Sequence, residues 1–506
     1  MAIDSKRNTT TVQPEIVNTK RRKKNDKAST PEQQFHETLM KCSKNNDLST
    51  ALSIYNSSAS TGTPKLNPHH FNTLLHIFSN NATTTPIVND AFRIFDHMVD
   101  SNIRPSEATI TSMARIATSD DASGGDRAFE LVKNMGEKYR LTPKIRTYDP
   151  ALFAFCRRVE HAEKAYEVEK HMVASGLLLE EREIAALLQV SAQAGRFKNV
   201  YDYMLKLISC VDCVGVETAK IVETWFQSEV ADKVGREDWN IEEVEEAILR
   251  NGGGWHGMGW FGKGKWNVRR SEVGSDGCCV CCGECLTCVD VRHIETVKFA
   301  ESVAALAKER EVMSNFSDFQ EWLNDHVNDY DTIIDAANVG FYQQNYADGG
   351  FCITQVKAVV EELFKRNGKL PLVVLHNKRV MTLMENPCYK KLLEDWKAHG
   401  ALYATPSGSN DDWYWLYATI KLKCLLVTND EMRDHIFELL SMKHVPKWKK
   451  RHLIRYSFTK GRVKLEMPHS YSTTIQESKK GSWHLPLNSS SETDEEKSTT
   501  WICITR

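Results

Sequence analysis

Apolar residues in the first part of the chain follow the spacing of amphipathic helices, and the whole pattern repeats. A loop of the type Leu66-Asn67-Pro68 returns twice with proline and once without it, at intervals of 36 to 38 residues. Each loop precedes two helical stretches, and the second stretch carries an alanine beside an aromatic residue. This period predicts an α-solenoid of stacked helical hairpins over residues 31–210. The pairs are Ala91-Phe92, Ala128-Phe129 and Ala165-Tyr166.

In the last third of the chain the pattern changes to short apolar runs that end in aspartate. The run Thr332-Ile333-Ile334 precedes Asp335, and a second run at residues 423–429 precedes Asp430. Both runs are typical of buried strands. Together with the helical stretches between and after them, they predict an α/β domain with a parallel sheet over residues 295–470.

Composition narrows the class of protein. The 506 residues suffice for about three domains, with 41% hydrophobic residues, 26% charged residues and a net charge of −2. This charge gives no global signal for nucleic acid, so such contacts require local basic patches. No apolar run has the length of a membrane span, and we expect no membrane association. A basic pentamer at residues 20–24, in a tail (1–30) expected to be disordered, predicts a nuclear protein, with a solvated or phosphate-contacting arm as the alternative.

Five aspartates carry the candidate chemistry: Asp335, Asp411, Asp412, Asp430 and Asp434. Ligands of open parallel sheets bind beyond the carboxyl ends of the strands, where Asp335 and Asp430 stand. Asp411 and Asp412 fall in the first turn of a predicted helix, and Asp434 follows Asp430 by one helical turn. Converging carboxylates bind Mg²⁺, and two such ions suit phosphodiester cleavage. Helix capping explains any one of these residues alone, and a glycosidase carboxylate pair is a rival use.

Clustered cysteines between residues 278 and 288 point to metal, because a chain with no signal peptide keeps most thiols reduced. Overlapping Cys-x-x-Cys pairs are typical of one edge of a zinc site. A site of Cys279, Cys282, His484 and Cys503 predicts a bipartite zinc domain, residues 211–294 plus 471–506, with the α/β domain inserted in it. The alternative is a site made by four members of the cysteine cluster alone.

Three stretches resemble the plant type of protein-only RNase P: residues 334–340 (Ile-Asp-Ala-Ala-Asn-Val-Gly), 400–417 and 426–435. The resemblance implies pentatricopeptide repeats, a bridging zinc domain and a NYN (PIN-like) nuclease domain. It also implies removal of the 5′ leader of precursor tRNA with no RNA subunit, Mg²⁺ or Mn²⁺ at Asp335, Asp411, Asp412 and Asp430, and structural Zn²⁺ at Cys279, Cys282, His484 and Cys503. Asp434 matches a supporting acid. The chain departs from the family at Ala336, where relatives have glycine, and in its extra cysteines Cys278, Cys281 and Cys285.

The repeat resemblance predicts that Asn72, Thr111 and Asp149 face RNA bases, while a protein-binding solenoid is the alternative. We expect a monomer that hydrolyses one phosphodiester bond and leaves a 5′-phosphate on the tRNA. Two rival functions remain open: a non-catalytic RNA-binding repeat protein, and an endonuclease for other structured RNAs. Basic residues that are candidates for phosphate contact, with a solvated helix face as the default, are Lys447, Lys449, Lys450, Arg451 and Arg455.

Overall fold

The computed structural model describes residues 30–119, 123–310, 316–344, 350–432, 445–488 and 499–506. Within these ranges the chain divides into two compact units. One contains the residues up to 154 together with 174–177, and the other contains 155–173 and 178–506. This division falls inside the repeats, and the domain boundaries at residues 210, 294 and 470 stay predictions.

The first unit consists of helical hairpins. Thr30, Asn67 and Ser106 cap the first helix of successive hairpins, and each side chain accepts a backbone N–H three residues on. Ala91 and Ala128 are fully buried, so neighbouring helices approach closely at these positions. The helices are α1 (Pro31–Asn45), α2 (Leu48–Thr61), α3 (Pro68–Asn81), α4 (Thr85–Asp100), α5 (Glu107–Ala117), α6 (Gly124–Tyr139) and most of α7 (Ile145–Cys156).

The second unit begins with six further α-helices, and the first three continue the repeat pattern. They are α8 (Ala162–Ala174, all but its last residue), α9 (Glu181–Gln193), α10 (Phe197–Cys210), α11 (Val216–Phe226), α12 (Glu229–Lys233) and α13 (Ile241–Arg250). The predicted helical-repeat architecture is confirmed, and Ala165 on α8 is fully buried like its counterparts. In the described ranges, no helix is both long and apolar enough to cross a lipid bilayer.

A small antiparallel sheet joins two distant parts of the second unit. Its strand order is β1, β10, β9, β8, with β1 at Asn267–Ser271, β8 at Gln476–Glu477, β9 at Trp483–Pro486 and β10 at Trp501–Thr505. The last strand therefore pairs with a strand more than 200 residues earlier in sequence, with Arg269 opposite Cys503. Buried tryptophans of both parts, Trp260 and Trp483 among them, pack beneath this sheet.

The predicted α/β fold with its parallel sheet lies within the polypeptide between β1 and β8. Its sheet has the order β4, β3, β2, β5, β6, β7, and all its neighbouring strands are parallel except the β6–β7 hairpin. The strands are β2 (Thr332–Asp335), β3 (Leu372–His376), β4 (Leu402–Thr405), β5 (Leu425–Val427), β6 (Leu453–Thr459) and β7 (Arg462–Glu466). The helices are α14 (His293–Arg310), α15 (Phe316–Asn324), α16 (Ala336–Phe341), α17 (Ile353–Asn367), α18 (Asn377–Met384), α19 (Pro387–Ala398), α20 (Asp411–Leu422) and α21 (Val445–His452).

Helices cover both faces of this sheet, which explains why its strands are apolar on both sides. On one face α14, α15 and α20 form a core with β2 and β3, and on the other α17, α18 and α19 pack on the same strands. Residues 413–420 of α20 are all buried. A helix that is buried on every side has no freedom to shift, so its amino terminus is held in place.

Candidate functional site

The strand order places a crevice between β2 and β5. From β2 the sheet grows through β3 to β4 on one side and through β5 to β6 on the other, so the order reverses at β2/β5. Such a switch point opens a crevice beyond the strand carboxyl ends. Asp335 is the last residue of β2, and Asp430 lies three residues beyond the end of β5. The sheet therefore brings these two predicted residues to one place.

Neighbouring groups hold the Asp335 side chain in a buried position. Asp335 is 3% exposed. One carboxylate oxygen accepts the backbone N–H of Asn338 at 3.0 Å, and the other accepts the Thr428 hydroxyl at 2.9 Å. The Thr428 Oγ1 in turn accepts the N–H of Asp430 at 3.0 Å. Ala336 is the first residue of α16 and lacks a positive φ, so this position makes no demand for glycine.

Two more of the five predicted aspartates come from the start of α20. Asn410 caps this helix, its Oδ1 accepting the N–H of Asp412 at 3.1 Å, and Asp411 and Asp412 occupy the first turn. The positive end of the helix dipole favours carboxylates there. Because residues 413–420 of α20 are buried, its first turn is fixed, and both acids lie near Asp335.

Electrostatics link the four aspartates. Burial raises the pKa of Asp335 to about 8, and the carboxylates of Asp411 and Asp412 add to the rise, against the hydrogen bonds from Asn338 and Thr428. Burial also raises the pKa of Asp412 to about 6, with contributions from Asp411 and Asp430. The acids thus lie close enough to repel one another, and a bound cation relieves that repulsion.

The aspartates do not form a closed cage. In the described part of the chain, the ligand atoms of three or more metal-binding side chains meet within 4.8 Å only at the cysteine and histidine cluster. An open set of carboxylates suits magnesium, which keeps several waters of its own. Asp434 and most of the helix predicted after Asp430 lie outside the described residues, so the structure says nothing of that acid.

The second cluster unites the four predicted zinc ligands. The ligand atoms of Cys279, Cys282, His484 and Cys503 all lie within 4.8 Å of one another, and Cys282 Sγ is 3.2 Å from His484 Nε2. His484 on β9 stands directly opposite Cys503 on β10. Burial lowers the pKa of His484, which favours the neutral imidazole that binds metal. Three thiols and an imidazole fit a tetrahedral zinc site.

The extra cysteines behave differently from the expectation of reduced thiols. Cys278 and Cys285 form a disulfide beside this cluster, and Cys281 is free. In the described residues the structure therefore brings together the mixed cysteine and histidine cluster, and not four cysteines of the segment alone. The disulfide escaped prediction because six cysteines within eleven residues offer many possible pairs, and only the backbone bridge between residues 278 and 285 singles out this one.

The predicted base-facing side chains are engaged in helix contacts. Asn72 on α3 is bonded to Thr109 on α5. Thr111, at the equivalent place on α5, is 5% exposed and lies 3.3 Å from the Thr147 hydroxyl on α7. Asp149 is partly buried. The role of Asn72, Thr111 and Asp149 in RNA binding stays a prediction.

Most of the basic candidates for phosphate contact have protein partners. Lys447 is partly buried with its Nζ 5.5 Å from the centre of the Trp255 ring, and Lys450 pairs with Asp212 at 2.5 Å. Lys449 and Arg455 both contact Glu431, and Arg455 lies on β6 rather than on a helix. No spacing in the sequence signals these contacts, because each joins residues that are distant in sequence.

A crevice of carboxylates at the switch point of an α/β sheet, in one chain with a helical repeat array, is the architecture of a repeat-containing nuclease. Residues 20–233 match the model described as the pentacotripeptide-repeat region of PRORP, and residues 273–503 match the model described as protein-only RNase P. Proteinaceous RNase P 2 of Arabidopsis thaliana is 50% identical over 500 residues, which cover 96% of this chain and 94% of that protein.

Two further comparisons agree. Proteinaceous RNase P 1 of Arabidopsis thaliana, named as chloroplastic and mitochondrial, is 43% identical and covers 94% of this chain and 83% of its own length. The crystal structure of the nuclear proteinaceous RNase P 2 of Arabidopsis thaliana has a TM-score of 0.84 at 50% identity, with 94% of this chain and 100% of that chain covered. The chain belongs to the protein-only RNase P family. It is an endoribonuclease that processes the 5′ end of tRNA without an RNA subunit.

The raised pKa of Asp412 predicts a pH-dependent penalty in the cation-free protein. The pKa of this carboxyl rises from 3.8 to about 6 on folding. The folded protein is therefore not penalised below about pH 4, where the carboxyl is protonated in both states, and it loses free energy of unfolding as the pH rises through 6. We expect Asp412→Asn to stabilise the protein by roughly 1–2 kcal/mol at pH 7 without added divalent cations. The gain disappears near pH 4, as calorimetry over this pH range will show.

The control is Asp395→Asn on α19, an exposed carboxylate paired with His399, which leaves stability nearly unchanged at both pH values. Added Mg²⁺ should stabilise the unaltered protein more than the Asp412 variant. Equal stability of the Asp412 variant and the unaltered protein at pH 7 would contradict the electrostatic account.

Proposed function

We propose that Asp335, Asp411, Asp412 and Asp430 form the catalytic site and hold divalent cations, Mg²⁺ or Mn²⁺, that serve hydrolysis of precursor tRNA. The products are a tRNA with a 5′-phosphate and a leader with a 3′-hydroxyl. The observation that carries this proposal is the burial of Asp335 and the partial burial of Asp412 beside other carboxylates, which raise both pKa values. Such an arrangement is costly to the fold unless cations occupy it.

A bound Mg²⁺ supplies activation of water and charge neutralisation at the leaving oxygen. Neighbouring residues of the chain orient the carboxylates that would hold the cation. The N–H of Asn338 and the hydroxyl of Thr428 fix the two oxygens of Asp335, and the N–H of Met432 binds Asp430 Oδ1 at 2.7 Å. The two ring nitrogens of His376 lie within hydrogen-bond distance of backbone N–H groups, Nδ1 of Lys378 at 3.2 Å and Nε2 of Gly408 at 3.3 Å, and a neutral ring accepts only one of the two at a time. We assign no histidine as a base, and Asp434 stays a predicted supporting acid.

The repeats are proposed to bind the folded body of precursor tRNA while the α/β domain cuts at its 5′ end, with the protein acting as a monomer. Support comes from the match of residues 20–233 to the repeat region of the family. Helical repeats present a continuous surface suited to an extended RNA. The proposed domains are the repeats (31–210), the bipartite zinc domain (211–294 plus 471–506) and the NYN nuclease domain (295–470).

Zn²⁺ is the proposed occupant of the cluster of Cys279, Cys282, His484 and Cys503, in a structural role. Four protein ligands leave no open position for a substrate, which separates structural from catalytic zinc sites. The metal ties β9 and β10 to the segment at residues 279–282. Metal binding there contributes folding free energy because the unfolded chain has no preformed site.

The catalytic assignment predicts separate effects on cleavage and binding. Replacing Asp411 and Asp412 together by Asn removes two negative charges from the cation site and should lower kcat by roughly 1,000-fold or more. Affinity for precursor tRNA should stay within about threefold, because these residues bind cations and not the tRNA body. Single-turnover cleavage and filter binding measure the two quantities, with Asp395→Asn as the control.

Loss of RNA binding in the double variant would refute the assignment. A panel of RNAs separates the rival functions. A cut confined to the 5′ end of the tRNA in precursors supports the proposal, comparable cutting of unrelated hairpins favours a general endonuclease, and no cutting with any divalent metal favours a non-catalytic RNA-binding protein.

The zinc assignment predicts one zinc per chain by elemental analysis. His484→Ala and Cys503→Ser each remove a ligand and should lower the zinc content to near zero, with a lower melting temperature. Cys281→Ser is the matched control, since Cys281 lies in the same segment outside the cluster. Zinc lost on changing Cys281 but retained on changing His484 would favour a site made by the cysteine segment.

The nucleus is the proposed location, on the strength of the basic residues 20–24 and of the nuclear relative described above. Changing all five residues to Gln should abolish nuclear accumulation of a fluorescent fusion expressed in plant cells. Changing Lys6 and Arg7 of the same tail is the control. Unaltered nuclear accumulation of the first variant, or an organellar signal of the unaltered fusion, would contradict the proposal.

A further inference from the structure

The backbone that carries Asp430 belongs to neither a helix nor a strand. Residues 428–432 follow β5 as irregular chain. Met432 has a φ of +53°, in the left-handed region that bulky residues rarely adopt. A segment of this kind keeps one conformation only if surrounding groups hold it. The position of Asp430 therefore depends on what contacts its neighbours.

Two neighbouring residues of strand β6, which point to opposite faces of the sheet, hold this segment and its surroundings. On one side, Arg455 Nη1 donates to the carbonyl oxygens of Thr428 and Asp430 at 3.4 and 3.3 Å, and its Nη2 binds Glu431 Oε1 at 2.8 Å. The next residue, Tyr456, points to the opposite face, as strand geometry requires. Its hydroxyl donates to Asn338 Oδ1 at 2.6 Å, the same oxygen that accepts the N–H of Asn429.

The charge of Arg455 is balanced within this segment. Its side chain is 31% exposed, and Glu431 compensates its charge. Lys449 adds a hydrogen bond of 2.6 Å to the Glu431 carbonyl. A planar guanidinium joins two carbonyls and a carboxylate at once, which the single ammonium of lysine does less well. Three of the five N–H donors of Arg455 are thus directed at this segment.

We infer that Arg455 is a positioning residue for the reaction: its guanidinium holds residues 428–431 so that the Asp430 carboxylate faces the cation site shared with Asp335 and Asp412. Arg455 itself touches neither cation nor substrate. The inference rests on the proposed role of Asp430 as a cation ligand. It assigns to Arg455 an effect on cation affinity in the free protein and none on RNA affinity.

The test measures Mn²⁺ binding to the RNA-free full-length protein by electron paramagnetic resonance, together with kcat and KM for precursor tRNA. Arg455→Met should weaken Mn²⁺ binding roughly 10-fold and lower kcat at subsaturating Mg²⁺ to a similar extent. KM for the RNA stays unchanged, and high Mg²⁺ restores most of kcat. Arg455→Lys retains one donor group and should give an intermediate Mn²⁺ affinity.

Arg366→Met is the matched control, because Arg366 lies on the exposed face of α17 in the same domain and pairs with Glu362. It should leave Mn²⁺ affinity, kcat and KM unaltered. A raised KM for Arg455→Met with unaltered Mn²⁺ affinity would show that Arg455 contacts RNA, and unaltered Mn²⁺ affinity in any case overturns the inference. If Arg455→Met fails to fold, as judged by circular dichroism, the Lys variant alone decides by the same readouts.

Asp430→Asn separates this inference from the proposal beneath it. If Asp430 is a cation ligand, Asp430→Asn weakens Mn²⁺ binding and abolishes cleavage whatever Arg455 does. Normal Mn²⁺ binding by Asp430→Asn would instead reject the ligand role of Asp430 itself. An impaired Asp430 variant beside an unimpaired Arg455→Met rejects only the positioning role.

Discussion

The parallel pairing of β2 with β5 is the constraint on which the site depends. Ile334 lies opposite Val427, so the next residues, Asp335 and Thr428, meet and form a hydrogen bond across the two strand ends. A shift of one residue in this register turns the Asp335 side chain to the other face of the sheet. The same pairing sets the start of the segment that carries Asp430. Two acids far apart in sequence thus share one crevice because two short apolar strands pair in one register.

The carboxylates in that crevice repel one another, and the surrounding apolar packing offsets the free-energy cost of this repulsion. Like charges in a poorly solvated site repel strongly, as the raised pKa values of Asp335 and Asp412 reflect. The helix that brings Asp411 and Asp412 is buried over residues 413–420 between the sheet and α14. Its apolar contacts hold the first turn in place although Asp411 and Asp412 repel the carboxylate of Asp335. Sites of this kind trade stability for function.

A second set of buried polar groups organises the small sheet. Glu477 on β8 is 3% exposed and accepts the Tyr201 hydroxyl of α10 at 2.9 Å, as well as the N–H groups of His256 and Gly257 at 3.3 Å. Burial raises the pKa of Glu477 to about 8 and lowers that of His256 to about 3. These contacts and the cysteine and histidine cluster are made between parts of the chain more than 200 residues apart. Closing so long a loop costs entropy, and specific cross-links of this kind offset that cost.

Local patterns in the sequence determined the repeat period, the apolar strands that end in Asp335 and Asp430, and the caps that begin α3, α5 and α20, since each depends on residues a few positions apart. They also indicated which cysteines and which histidine form one cluster, through resemblance to a family. Only the tertiary structure decided that β6 lies beside β5, so that Arg455 donates hydrogen bonds to the backbone around Asp430. It also decided that Thr111 is buried and contacts Thr147 on α7, and that Cys278 pairs with Cys285. The order of strands and the packing of helices join residues distant in sequence, and the free energy that selects among such arrangements is spread over the whole core rather than recorded in any one motif.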